Sequence, residues 1–239
     1  MPKKENTKKI SLKEKETEKE VEAESPTLAK KYNKEIYLVL GAMALLVLIF
    51  FAFYYVFGSL NKIDYRGLTF TKEKFGEIPV FHHYYYITPD VLYNLYLRND
   101  PRNNKVPITG AVVDRGIEFM QKSTIYLTIA PDGIVGCPYG SVGVATLASF
   151  LVDNQFTVKG ASSDKEQAEL NNLTYATCKT DPMNKVIMIQ GGNETIIEHR
   201  TPNCYVITVA NCEILPAVEK FEVQAVLDAQ ARRAAAQKS

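Results

Sequence analysis

Histidine is scarce in this chain, with three in 239 residues: His82, His83 and His199. Two of them are adjacent, and neighbours on a strand point to opposite faces, so the pair does not close on one ion. No metal site is expected. The sequence also lacks the G-x-S-x-G of a nucleophile elbow. It has no glycine-rich loop ending in Lys and Ser/Thr ahead of a helix, and "GGNE" at 191–194 is too short to cradle a phosphate. Hydrolysis by a Ser-His-Asp set therefore has no recognisable seat, and no cofactor is expected. There is no internal repeat and no heptad. A net charge of +1 provides no overall field for nucleic acid, which is not expected as a partner.

Charge is missing altogether from Ile36 to Phe57, a run of 22 residues. At about 1.5 Å per residue such a helix crosses a hydrocarbon core of about 30 Å. Tyr37 lies at one end and Tyr54 and Tyr55 at the other, where interfacial aromatic residues belong. The run exceeds the about 7–15 residues of a secretory signal core, so it is read as a retained transmembrane anchor in contact with the lipid bilayer. Residues 1–35 hold ten lysines and eight glutamates and almost nothing apolar. They are expected to be a disordered charged tail. Lys30, Lys31 and Lys34 precede the span, against Lys62 and Arg66 diluted by Asp64 after it. That bias places the N-terminus in the cytoplasm and the remainder outside the cell membrane, as a single-pass protein.

Cysteine is absent before residue 137; all four, Cys137, Cys178, Cys204 and Cys212, follow the apolar run. An even number in an extracytoplasmic domain predicts two disulfides. If "CYVITVANC" is one straight strand, Cys204 and Cys212 lie about 26 Å apart at about 3.3 Å per residue, far beyond the about 7 Å that a disulfide tolerates. Each is then expected to reach back to Cys137 or Cys178, with both pairings open. The sequons Asn172-Leu173-Thr174 and Asn193-Glu194-Thr195 fall on the same side of the span and are candidate glycosylation sites.

After an expected tether at 58–66, an extracytoplasmic domain is expected over 67–228, with a frayed tail at 229–239. Aromatic and β-branched runs punctuated by Pro79, Pro89 and Pro101 read as strands, and "NDPRNN" as a turn. A further strand is strongest at 123–130. Helical spacing sets in at Ser141 and ends near Asn154, followed by a short strand and a short helix capped by Ser163 or Asp164. "KVIMIQGGNETIIEH" reads as a hairpin turning on Gly191, Gly192 and Asn193. A last strand and a helix opening near Pro216 complete the chain. The fold class is therefore α+β, with helices packed on one mostly antiparallel or mixed sheet, preceded by a single transmembrane helix.

Two readings of function follow. In the first, the domain binds or assembles with a protein or cell-envelope partner on the outer face and is not an enzyme. Its candidate contact surface is the aromatic stretch: His82, Tyr84 and Tyr86 share one face of a strand, Tyr93 and Tyr96 follow, and Arg98 and Arg102 flank a turn where they could clamp a carboxylate or phosphate. In the second, Cys137 is a thiol at the start of a helix, where the dipole favours thiolate. Cys137-Pro138-Tyr139 resembles the opening of the Cys-Pro-Tyr-Cys site of glutaredoxins in the thioredoxin-like superfamily, with Gly140 standing where the second cysteine would be. Thr201-Pro202, ahead of a strand, sits where that superfamily keeps a cis-proline. The resemblance implies a membrane-tethered thiol–disulfide oxidoreductase using Cys137.

Overall fold

A computed structural model describes residues 26–110, 116–119, 124–130, 134, 136–180 and 184–238; side chains at 26–33 and 57–60 also lie outside the description. Residues 1–25 of the lysine-rich segment fall outside it too. The chain divides into two compact units that meet between Leu60 and Asn61.

The first unit contains helix α1 (Pro26–Leu60). Within it, Lys34–Val56 is long and apolar enough to cross a membrane, and none of its most apolar window is buried by protein. Helix begins ten residues before the expected span, so residues 26–35 are helical where disorder was expected.

Within the stretch 58–66 expected as a tether, the second unit begins at Asn61 and enters a strand at Lys62. Lys62–Tyr65 forms β1, whose Ile63 is buried, and pairs with β2 (Leu68–Phe75). β3 (Ile78–Thr88) and β4 (Val91–Leu97) complete a four-stranded antiparallel meander in chain order. Alternation along these strands sends Leu68, Phe70, Phe81, Leu95 and Leu97 into the core.

A second sheet has seven strands in the order β5-β10-β11-β9-β6-β7-β8. Its strands are β5 (Ile108–Gly110), β6 (Thr124–Ile129), β7 (Thr157–Ser162), β8 (Thr174–Tyr175), β9 (Lys185–Gly191), β10 (Ile196–Thr201) and β11 (Cys204–Val209). β11, β9, β6, β7 and β8 run parallel, and β10 runs against β11. The expectation of a mostly antiparallel or mixed sheet is met in its mixed form, with one difference: there are two sheets, the antiparallel meander and a larger mixed sheet that is mostly parallel. Its middle strands β11, β9 and β6 have no exposed residue, as parallel sheets covered on both faces require.

Between the two sheets lie helices α2 (Gly140–Asp153) and α4 (Ile214–Ala236). α4 is buried on all sides from Ile214 to Val226 apart from Pro216, Lys220 and Gln224. Toward the meander its Glu219 accepts from the backbone N–H groups of Arg98 and Asn99 and from the Asn99 side chain, while Lys220 donates to the Tyr65 hydroxyl. Toward the larger sheet Phe221 meets Tyr205 edge-on at 5.5 Å. One core cluster runs through all these layers. Where a frayed tail was expected from 229 onward, α4 is assigned to Ala236, and the Arg233 guanidinium donates to the Tyr86 and Ile87 carbonyls. The short α3 (Lys165–Leu170) is capped by Asp164, which accepts from the Gln167 N–H.

β9 and β10 are not a hairpin. β11 lies between them, parallel to β9 and antiparallel to β10. The link from Gly192 to Thr195 therefore crosses the end of β11 and spans two strand spacings, about 10 Å. Gly192 is what lets it pass. Its N–H donates to the Val209 carbonyl, and a Cβ there would lie 2.3 Å from the Thr208 methyl. Thr195 closes the crossing: the Ala210 N–H donates to its hydroxyl, which donates to Glu213 Oε2 at 2.7 Å.

Two disulfides tie the unit, Cys137–Cys212 and Cys178–Cys204. Each joins an earlier segment to β11 or to the turn following it, and Cys204 and Cys212 are not joined to each other. Cys178–Cys204 sits on the sheet face opposite the helix layer, among Ala161, Ala176, Val186 and Val206.

Candidate functional site

The outward face of the meander carries the aromatic cluster. Register pairs His82 with Tyr96, Tyr84 with Asn94 and Tyr86 with Leu92 across β3 and β4. Side chains alternate along a strand, so these pairs share one face, and their rings lie within cross-strand contact range. The His82 ring stacks on Tyr96, with centroids 4.5 Å apart and planes 15° apart. Its nitrogens are held by Glu73 Oε1 at 2.8 Å and Asn94 Oδ1 at 2.9 Å. This fixes the imidazole as a platform for Tyr96. Tyr84, Tyr86 and Tyr96 keep 61%, 56% and 44% of their surface in solvent, and Leu92 keeps 45%.

His83 faces the opposite way. It is buried, its Nδ1 bonds the Thr69 carbonyl at 2.9 Å, and its ring lies 5.2 Å from Phe70. A carbonyl only accepts, so Nδ1 carries the proton. Burial lowers the His83 pKa, the Thr69 carbonyl opposes that, and His82 adds to it. The two adjacent histidines thus serve different surfaces. Among the described residues no three His, Cys, Asp or Glu side chains converge as a metal site would need.

Three residues expected on the contact surface lie elsewhere. Tyr93 points inward with Leu95 and Leu97, pairs with Tyr85 across the strands, and meets Phe150 of α2 at 5.9 Å. Arg102 folds back on Asp100 through Nε and Nη2, with its own N–H on the same carboxylate. That pair lowers the Asp100 pKa through the Arg102 side-chain hydrogen bond first. Arg102 therefore closes its own turn. Arg98 lies over the Tyr139 ring at 5.3 Å. The two guanidinium groups have different partners and form no clamp.

Cys137 precedes α2 by three residues and is half-buried, while its partner Cys212 is exposed just ahead of α4. Tyr139, Asn211 and Cys212 all adopt positive φ around this bond. The Thr201-Pro202 bond is trans and enters the β10–β11 turn. Asn172 and Asn193 are both exposed.

Sequence reasoning missed the most unusual carboxyl. Glu222 is fully buried, and among the described residues neither of its oxygens has a hydrogen-bond partner. Burial, reinforced by the Glu219 charge, raises its pKa well above the usual carboxyl range. Burial raises the Tyr85 and Tyr93 hydroxyls as well, with Glu222 adding to both. The available signal was a glutamate set inside the Val218, Phe221 and Ala225 stripe. Beside Tyr85 a cavity of about 660 Å³ opens between Phe150, Phe156, Phe119 and Arg233.

No protein-family model, curated protein or solved structure matches the chain.

Proposed function

We propose that this chain is a single-pass membrane protein, held by Lys34–Val56, whose second unit stands outside the cytoplasm and binds a protein or cell-envelope partner without catalysis. The span has a mean hydropathy of 2.8, and two disulfides suit an oxidising compartment. The observation that carries the binding role is the exposed array of Tyr84, Tyr86 and Tyr96 braced by His82. Tyrosine supplies large, rigid contact area with a polar tip, and a prearranged array loses little rotamer freedom on binding. A photo-crosslinking residue at Tyr84 in intact cells should yield a discrete adduct. The adduct should vanish when Tyr86 and Tyr96 are changed to Ser, and the same probe at Tyr175 should yield none. Equal labelling from Tyr84 and Tyr175 would contradict the assignment.

A second reading is favoured by the Cys137–Cys212 bond, which is exposed at Cys212 and lies beside two helix N-termini. Helix dipoles stabilise thiolate there and ease thiol exchange. A membrane-tethered oxidoreductase would oxidise a substrate dithiol while its own bond is reduced. Loss of such oxidation in Cys137→Ser, with folding intact, would support it; an inert bond under excess peptide dithiol would end it.

A further inference from the structure

Beside Tyr85 the second unit has an opening of its own. The cavity of about 660 Å³ there is bounded by the end of β3, by the end of α2 with the chain that follows it, and by the outer half of α4. Small-molecule sites span about 300–1,000 Å³ and are mostly apolar with a few polar groups. Phe119, Phe150 and Phe156 line this one, with the Phe119 and Phe156 rings 5.1 Å apart. Tyr85 adds a fourth ring, and its hydroxyl already donates to Asn154 Oδ1 at 2.9 Å. On the α4 side the lining residues are Ala225, Val226 and Ala229, which share one helix face. The two alanines, one turn apart, leave room where larger side chains would fill the space.

The rim is positive. Arg232 and Arg233 line the cavity, and among the described residues no Asp or Glu does. Arg232 shares its surroundings with Glu118, whose charge bears on the same Lys185 and Tyr205. Arg233 is therefore the cation left for a ligand. Its Nη1 and Nη2 donate to the Tyr86 and Ile87 carbonyls, which spends two of five N–H groups and leaves the charge uncompensated. Among the described residues it forms no salt bridge. The acids whose charges reach Tyr85 are Glu222 and Asp153. Burial favours the neutral form of Glu222, and Asp153 is exposed, where solvent screens it. The carbonyls that end α2 here are already paired: Phe150, Leu151 and Val152 accept from the N–H groups of Asn154, Phe156 and Gln155. Gln155 and Gln230 add carboxamide donors to the same rim. Gln155 is held at φ 68°, which is uncommon for a residue other than glycine.

We propose that this cavity binds an aromatic carboxylate, its ring against Phe119, Phe150 and Phe156 and its carboxylate on the Arg233 guanidinium. Aromatic walls receive an aromatic body in offset or edge-on packing. A guanidinium with N–H groups to spare forms charge-assisted bonds to a planar carboxylate. Binding of this kind needs neither the span nor the partner contact at Tyr84.

Full-length protein in phosphatidylcholine nanodiscs would be dialysed to equilibrium against 2-naphthoate, with empty nanodiscs as the blank. The proposal expects saturable binding of one naphthoate per chain. The neutral analogue 2-naphthalenemethanol should bind about tenfold more weakly, as loss of a charge-assisted hydrogen bond implies. Arg233→Gln should weaken naphthoate by the same factor and leave the alcohol unchanged. Ala229→Trp, which fills the cavity, should abolish binding of both. Thermal unfolding checks that each variant is folded, and Ala229→Leu takes the place of Ala229→Trp if the larger side chain is not accepted. Absence of saturable binding, equal affinity for acid and alcohol, or undiminished naphthoate binding by the folded filled variant would each overturn the proposal. Any of these leaves the partner-binding reading standing, since that is tested at Tyr84.

Discussion

Glu219 and Glu222 lie one turn apart on α4, both buried, and only Glu219 has partners. Glu219 receives three N–H groups from the end of the meander and so fixes the first sheet to the central helix. Glu222, beside Tyr85 and Tyr93, receives none. An unpartnered buried polar group costs about 1–3 kcal/mol in protein mutational data, so this position holds the protein below its attainable stability.

Glu222→Met should therefore raise unfolding free energy by about 1–3 kcal/mol at neutral pH. Glu219→Leu should lower it by a similar amount, because it orphans the Arg98 and Asn99 N–H groups. Urea unfolding in detergent measures both. Destabilisation by Glu222→Met would mean that the carboxyl has a partner.

The pH dependence has a definite sign. Glu222 and Glu219 both have folded pKa values raised, chiefly by burial. The folded state keeps protons that the unfolded chain releases above about 4.3, so these groups lower stability as pH rises from there through their folded pKa values. His83 acts oppositely: its lowered pKa means the unfolded chain gains a proton below about 6.5 before the folded one does, so stability falls as pH drops through that window. The stability difference between Glu222→Gln and the parent isolates the first effect. It should be small near pH 4 and grow in favour of the variant toward pH 8; a flat difference would contradict the assignment.

The two disulfides should contribute unequally. They close intervals of 75 and 26 residues, for which chain entropy predicts about 4.5 and about 3.5 kcal/mol. Cys212→Ser should lower the thermal midpoint more than Cys204→Ser if the unfolded chain dominates. Cys204 is 1% exposed, so calorimetry of both variants and the parent under reducing conditions, where neither bond exists, measures the packing cost of each Ser and is subtracted before the two are ranked.

Gly192→Ala should destabilise the domain by about 1–3 kcal/mol, the usual cost of forcing atoms into a packed position. The obstacle is the Thr208 methyl. Thr208→Ser removes that methyl, so the double variant should recover most of the loss. Additive losses would show that the link does not cross β11.

That crossing also marks the limit of what could be read from the residues. "QGGNE" suits a tight hairpin turn and a link over a neighbouring strand equally well, because glycine serves both positive φ and close approach. The unbroken apolar run of β11 was the available clue, since only a central strand buries every residue. β1 was hidden because a four-residue strand offers one buried side chain, Ile63. The inward place of Tyr93 was legible: in "VLYNLYL" it alternates in step with Leu95 and Leu97. The strands β2 to β4, helices α2 and α4 and the Asp164 cap follow their local signals closely. The two-sheet sandwich does not, since it depends on which surfaces pair at long range. At the candidate contact surface, the shared face of His82, Tyr84 and Tyr86 came from strand period alone. The brace of Glu73 and Asn94 on His82 needed the register.

Topology and disulfide state can be read in one labelling experiment on intact cells expressing the full chain. A membrane-impermeant maleimide would be applied before and after a membrane-impermeant phosphine reductant. The proposed placement predicts no labelling before reduction and strong labelling of the exposed Cys137–Cys212 pair afterwards, to the same extent as in lysed cells. Labelling that requires lysis, or free thiols at all four cysteines without reductant, would place the domain in the cytoplasm and contradict the account.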